Sequence, residues 1–110
     1  MALEGDYTKK LLGGLRSLPN SQWFKIHGGP MQPAGISDII GCLRGRFVAI
    51  EVKVAGRQTQ KNGGLSALQM KFLADVENAG GLAVVVYTSA EVIAVIRQIT
   101  GRAARDALRL

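Results

Sequence analysis

Gly35-Ile36-Ser37-Asp38-Ile39-Ile40-Gly41-Cys42-Leu43-Arg44-Gly45-Arg46-Phe47-Val48-Ala49-Ile50-Glu51-Val52-Lys53 is the stretch that decides the fold of this chain. Residues 37–43 and 47–54 are rich in Ile, Val and Phe and flank Arg44-Gly45, so they read as two strands joined by a hairpin turn. A two-residue loop sets Leu43 opposite Arg46 and, counting back along both strands, Asp38 opposite Glu51. Their Cβ atoms would then stand about 4.5–5.5 Å apart. A four-residue loop keeps this pairing, whereas a three-residue loop shifts it by one. Two carboxylates held face to face repel, and something must offset that: a shared proton, a salt bridge to Lys53, or a hard divalent cation taking oxygen ligands.

Side-chain alternation sharpens the point. Val48, Ile50, Val52 and Val54 share one face, which is uniformly apolar and must be covered. Phe47, Ala49, Glu51 and Lys53 share the other, which passes from apolar to charged along the strand. Asp38, Glu51 and Lys53 are thus expected to converge on one patch at the sheet edge. On a strand this apolar, such a patch points to a site and not to a solvated face.

Around this hairpin the chain divides into short elements punctuated by glycine. Tyr7, Leu11, Leu15 and Leu18 recur at helical spacing, with Leu12 alongside, and predict a helix over 3–18 despite Gly13-Gly14. A short strand at 22–27 and a Gly/Pro-rich loop at 28–35 follow. Residues 55–65 are polar, basic and glycine-rich, which suggests a mobile loop. Ser66-Ala67-Leu68-Gln69 is a capping box that opens a helix ending near Gly80-Gly81. The apolar run 82–87 suits a buried strand, and Thr88-Ser89-Ala90-Glu91 is a second capping box, for a helix to about Ile99. Beyond Gly101 a last short helix would carry Arg102, Arg105 and Arg109 on one face. The order α-β-β-β-α-β-α predicts an α/β domain, a mixed sheet flanked by helices.

Composition sets the frame. A chain of 110 residues is one domain, and 47% hydrophobic residues argue against a disordered tail. With 14 Lys and Arg against 8 Asp and Glu, the net charge is +6, and a partner with fixed negative charge is the first expectation. The one cysteine, Cys42, forms neither an internal disulfide nor a thiolate cluster; it suits core packing and a reducing compartment. The acidic start Met1-Ala2-Leu3-Glu4-Gly5-Asp6 is unlike a secretory signal, and no run reaches the ~18–20 apolar residues that span a bilayer. A cytoplasmic protein with no membrane segment is expected.

Ser37-Asp38, a hairpin, and then Glu51-Val52-Lys53 resembles the signature of the PD-(D/E)xK nucleases. More narrowly, the chain resembles a stand-alone VRR-NUC domain, the virus-type replication-repair nuclease family. That resemblance runs over 3–99 and rests on Glu4 in the first helix, Gly35-Ile36-Ser37-Asp38, Glu51-Val52-Lys53, and Leu65-Ser66-Ala67-Leu68-Gln69 opening the next helix. Ser37 stands where the family motif usually has proline; that position shapes the approach to the aspartate and is not a ligand.

The resemblance implies a single restriction-endonuclease-like domain. It also implies a metal-dependent, structure-selective DNA endonuclease, similar to Holliday-junction resolvases and expected as a homodimer on branched DNA. By the same resemblance, Asp38 and Glu51 would hold Mg²⁺ or Mn²⁺, with the Val52 carbonyl and Glu4 as further ligands. Lys53 would orient a water or stabilise developing charge, and Gln69 would position Lys53 or a water. Gln69 is equally explained as the N3 residue of its capping box, and Glu4 as an acid suited to a helix N-terminus. Arg57 and Lys61, in the loop after Lys53, are expected to grip the DNA backbone, and Arg102, Arg105 and Arg109 offer phosphate contacts or a solvated stripe. Trp23 and Phe24 suit either base stacking or the core. His27, a lone loop histidine, suits plain surface. The rival readings are a flap or nicking nuclease acting as a monomer, and a basic DNA-binding module that keeps the fold without catalysis.

Overall fold

Arg44 and Gly45 both take positive φ, 51° and 85°. That is the backbone of a two-residue type I′ turn, whose twist matches that of the strands it joins. The structure, a computed structural model, describes residues 4–88, 90, 91, 94, 95, 97, 98 and 101, with 4–7 described by backbone alone. The turn joins β2 (Ile39–Leu43) to β3 (Arg46–Val52) in the register that pairs Leu43 with Arg46 and Ile39 with Ile50. This is the pairing read from the sequence.

β1 (Ser21–Lys25) pairs antiparallel with β2, and β4 (Leu82–Val86) pairs parallel with β3. The mixed sheet has the order β1-β2-β3-β4, which makes β3 an interior strand. A parallel neighbour needs a crossover, and α2 (Ala67–Asn78) supplies it. The molecule is thus an α/β fold with helices packed against a mixed sheet.

α1 (Glu4–Arg16) packs on β1 and β3. Leu11, Leu12 and Leu15 face Trp23, Ile39, Leu43, Val48, Ile50, Val52 and Val86 in one buried cluster. Burying three leucines outweighs the roughly 1 kcal/mol that each of Gly13 and Gly14 costs a helix interior, and both glycines lie on the exposed side. The opposite sheet face receives α2, which contacts β4 and β3.

The structure corrects several expectations. β4 is half-buried along most of its length, because among the described residues it is the edge strand, with no strand on its far side. Residues 55–65 form two 3₁₀ turns, Arg57–Thr59 and Lys61–Gly64, tied down by a 2.7 Å bond from Tyr87 Oη to the Gly63 carbonyl. Cys42 is exposed and outside the core, since its parity places it opposite Phe47 and away from α1. At the second capping box the Thr88 hydroxyl accepts from Glu91 N at 3.3 Å, while the Glu91 carboxylate accepts from Tyr87 N, one residue earlier than the motif predicts. Arg102, Arg105 and Arg109 lie outside the described residues. No helix among the described residues is long and apolar enough to cross a membrane.

Candidate active site

The sheet delivers the site from adjacent strands. Asp38 immediately precedes β2, one step beyond the Ile39–Ile50 pair, so it stands beside Glu51 of β3 as the alternation requires. Backbone contacts hold it on both sides: its carbonyl accepts from Ile26 N at 2.8 Å, and its Oδ2 accepts from Val52 N at 2.8 Å. Lys53 follows β3 and donates its own N–H to the Val86 carbonyl at 2.9 Å, extending the parallel pairing into the site. Contrary to the expected edge position, the patch sits at the C-terminal end of an interior strand. Its flanks are therefore sheet and helix instead of solvent.

Glu51 is 2% exposed and Lys53 7% exposed. Burying one charge alone is costly, and the two meet as a pair, Lys53 Nζ to Glu51 Oε1 at 3.6 Å. Gln69, one turn into α2, completes the arrangement. Its Nε2 donates to Glu51 Oε1 at 3.1 Å, and its Oε1 accepts from Lys53 Nζ at 3.2 Å and from Ser66 N at 2.9 Å. Ser66 Oγ accepts in turn from Gln69 N at 3.1 Å, so the capping box is formed in full. Gln69 therefore caps α2 and contacts Glu51 and Lys53 through one hydrogen-bond network, where the sequence offers capping and a site role as alternatives.

Burial raises the Glu51 carboxyl from its ordinary 4.5 to about 7; the adjacent Asp38 carboxylate adds to the rise, and Lys53 partly offsets it. Glu51 Oε2 is buried and accepts no hydrogen bond among the described residues. A carboxylate oxygen orphaned beside a second carboxylate is a poor ground state unless a proton or a cation joins it. Asp38 and Glu51 are hard oxygen donors, and that donor set fits Mg²⁺ or Mn²⁺, which take one or two carboxylates and leave room for water and phosphate oxygens. Among the described residues no third His, Cys, Asp or Glu completes a cluster with them. Glu4 opens α1, and its side chain lies outside the described residues.

Gly35 is a positioning residue that sequence reasoning quoted but did not explain. It has φ +90°, and a Cβ there would lie 2.6 Å from the Leu68 carbonyl carbon. Glycine lets the segment leading to Asp38 lie directly on the first turn of α2, which carries Gln69. Of the proposed DNA contacts, Lys61 is exposed, and Arg57 is half-buried and bonded within its own loop: its Nε donates to Gln60 Oε1 at 3.1 Å and its Nη2 to the Gly64 carbonyl at 3.4 Å. Trp23 is a core residue at 2% exposure, and Phe24 is 55% exposed. His27 is exposed, as a lone loop histidine should be.

No known family model matches this chain, and no curated protein or solved structure does either.

Proposed function

We propose that the chain is a metal-dependent endodeoxyribonuclease of the PD-(D/E)xK type, resembling a stand-alone VRR-NUC domain and selecting DNA by structure. The observation that supports this best is the set Asp38, Glu51, Lys53 and Gln69, gathered at the ends of two adjacent strands and on a helix, in which Gln69 bonds both Glu51 and Lys53 beside an orphaned carboxylate oxygen. Asp38 and Glu51, with the Val52 carbonyl and Glu4 as further candidates, would hold Mg²⁺ or Mn²⁺. When bound, such a metal lowers the pKa of its water and neutralises charge on a phosphate.

The protein's own groups do the rest. Asp38, anchored through Val52 N and Ile26 N, keeps its carboxylate fixed beside Glu51. Lys53 presents an ammonium held by Gln69 and Glu51, placed to orient a water or to stabilise negative charge that develops on the phosphate. Gln69 sets that ammonium's position and blocks rotation of Glu51. Lys61 and the net charge of +6 supply sequence-independent attraction to the DNA backbone. Paired cuts in branched DNA need two such sites, which makes a homodimer the working assembly of this proposal.

The test separates catalysis from binding. Glu51→Ala and Asp38→Ala should each abolish metal-dependent cleavage while DNA binding, read by fluorescence anisotropy, persists. Cleavage that survives both substitutions would sink the site assignment. Wild-type protein that binds DNA regardless of metal and never cuts would instead identify a non-catalytic binding module.

A further inference from the structure

The segment 54–65 leaves the site at Lys53 and returns to it at Ser66 and Gln69, so both of its ends are tied to the site. Between them the backbone makes an uncommon turn: Asn62, Gly63 and Gly64 all have positive φ, 55°, 64° and 80°. A run of left-handed residues is costly for side chains with a Cβ, which explains the glycine pair. The turn brings two carbonyls onto side chains that hold them. Gly63 O accepts from Tyr87 Oη at 2.7 Å, and Gly64 O accepts from Arg57 Nη2 at 3.4 Å. The fit at Tyr87 is tight, since a Cβ at Gly63 would overlap the hydroxyl. Tyr87 itself follows Val86, whose carbonyl accepts from Lys53 N at 2.9 Å, so the anchor stands on the strand beside the site.

Partners fix how the loop's side chains are turned. A backbone N–H and a guanidinium N–H only donate, so the amide atom that meets them is oxygen. Gln58 Oε1 accepts from Gly56 N at 2.7 Å, and Gln60 Oε1 accepts from Arg57 Nε at 3.1 Å. Both glutamines are exposed, and their Nε2 donors make no bond among the described residues. Lys61 is exposed next to them. No acid occurs between Glu51 and Asp75. Asp75 is paired with Lys71 roughly two and a half turns along α2 from Ser66, and Glu77 lies farther along still. The Glu91 carboxylate, the acid nearest Tyr87, is turned to Tyr87 N at 2.9 Å. What the loop offers beside Lys53 is therefore a set of donors and a cation. An anionic ligand made of acceptors fits it, and a phosphodiester backbone is the one that also reaches the site.

We infer that residues 57–64 form a preshaped phosphate-binding shoulder of the site, with Gln58, Gln60 and Lys61 on the DNA backbone and Tyr87 as the positioning residue that holds their loop in shape. The inference rests on the nuclease reading for its ligand, and it goes beyond that reading in assigning Tyr87, remote in sequence, to substrate binding. A loop already ordered before DNA arrives loses less freedom on association.

Binding of a short fluorescein-labelled DNA duplex is read by anisotropy in EDTA, over a series of salt concentrations and well below the Tm. Lys61→Ala is expected to weaken binding and to make the slope of log K against log[salt] shallower by about one. Tyr87→Phe keeps the ring and every charge. It should weaken binding about fivefold, the scale of one hydrogen bond, and leave the salt slope unchanged. Amide exchange at Gly63 and Leu65, whose N–H groups bond within the loop, should quicken in the same variant. Lys9→Ala removes the same charge from the exposed side of α1, on the other sheet face, and should bind nearly as wild type does. A Tyr87→Phe variant that melts lower yet binds DNA like wild type would overturn the inference. Equal effects of Lys9→Ala and Lys61→Ala would overturn it too, because net charge alone would then explain binding. So would polyglutamate that displaces the duplex as well as unlabelled DNA does, which would assign the loop to acidic peptides. Cleavage of branched DNA is scored separately with Mn²⁺. Cleavage with none of these binding effects overturns only the shoulder, whereas the binding effects without cleavage support it and overturn the nuclease reading.

Discussion

Gln69 Nε2 donates to Glu51 Oε1 at 3.1 Å across the contact between α2 and β3. The carbonyl end of the same amide is shared by Ser66 N and Lys53 Nζ, so the residue that caps the helix also holds the site together. The cap and the site can still be separated by mutation. Ser66→Ala removes the hydroxyl acceptor and should cost about 1 kcal/mol of stability, but it keeps the backbone N–H that holds Gln69. Gln69→Ala should cost a similar amount and also release both Glu51 and Lys53. The expected result is a similar fall in Tm for the two variants, with a much larger loss of kcat for Gln69→Ala. Equal loss of kcat would mean that Gln69 acts only through the helix.

Stability of the metal-free protein should depend on pH through Glu51. Its carboxyl titrates near 7 when folded and near 4.5 when unfolded, so between those values the folded state binds more protons. Stability therefore falls as pH rises through this window and levels off above it. In EDTA, Tm should be lower at pH 8 than at pH 5. Added Mn²⁺, which needs the ionised carboxylate, should raise Tm more at pH 8 than at pH 5.5. Glu51→Gln should flatten the pH profile and abolish the Mn²⁺ response.

Ser37 is fully buried, and its Oγ has no hydrogen-bond partner among the described residues. An unsatisfied buried hydroxyl is a penalty that alanine lacks, so Ser37→Ala should gain about 1 kcal/mol. Thermal melts should show a rise of a few degrees. A fall in Tm would mean that the hydroxyl has a partner.

Gly35→Ala should act in the opposite sense. The new Cβ meets the Leu68 backbone and the residue keeps a positive φ, so a loss of about 2–4 kcal/mol is expected. Cleavage measured well below the Tm should fall as well, because the same clash pushes Asp38 away from Gln69. A variant that melts and cuts like wild type would disprove the close approach.

Much of this was legible in the chain. The hairpin register followed from reading Arg44-Gly45 as a two-residue loop, and it carried the Asp38–Glu51 juxtaposition with it. The first helix was marked by Leu11, Leu12 and Leu15, and α2 by Ser66 and Gln69. What stayed hidden depends on neighbours distant in sequence. Local periodicity does not say which strand is the outermost, so β4 read as buried and the site as lying at an edge. Nor does parity alone show whether a face is covered, and Cys42 and Phe24 are exposed because α2 lies over β3 and β4 instead. The two 3₁₀ turns of the glycine-rich segment 55–65 were not legible either, because the Tyr87 hydroxyl that bonds Gly63 comes from beyond α2.

The most direct test of the account is cleavage of a panel of four-way junction, flap, nicked and linear duplex DNA by the purified chain, with Mg²⁺, Mn²⁺ or EDTA. The account predicts cuts that need the divalent metal, favour branched DNA and vanish in Glu51→Ala. Every substrate left intact under all metals, or cleavage undiminished in EDTA, would contradict it.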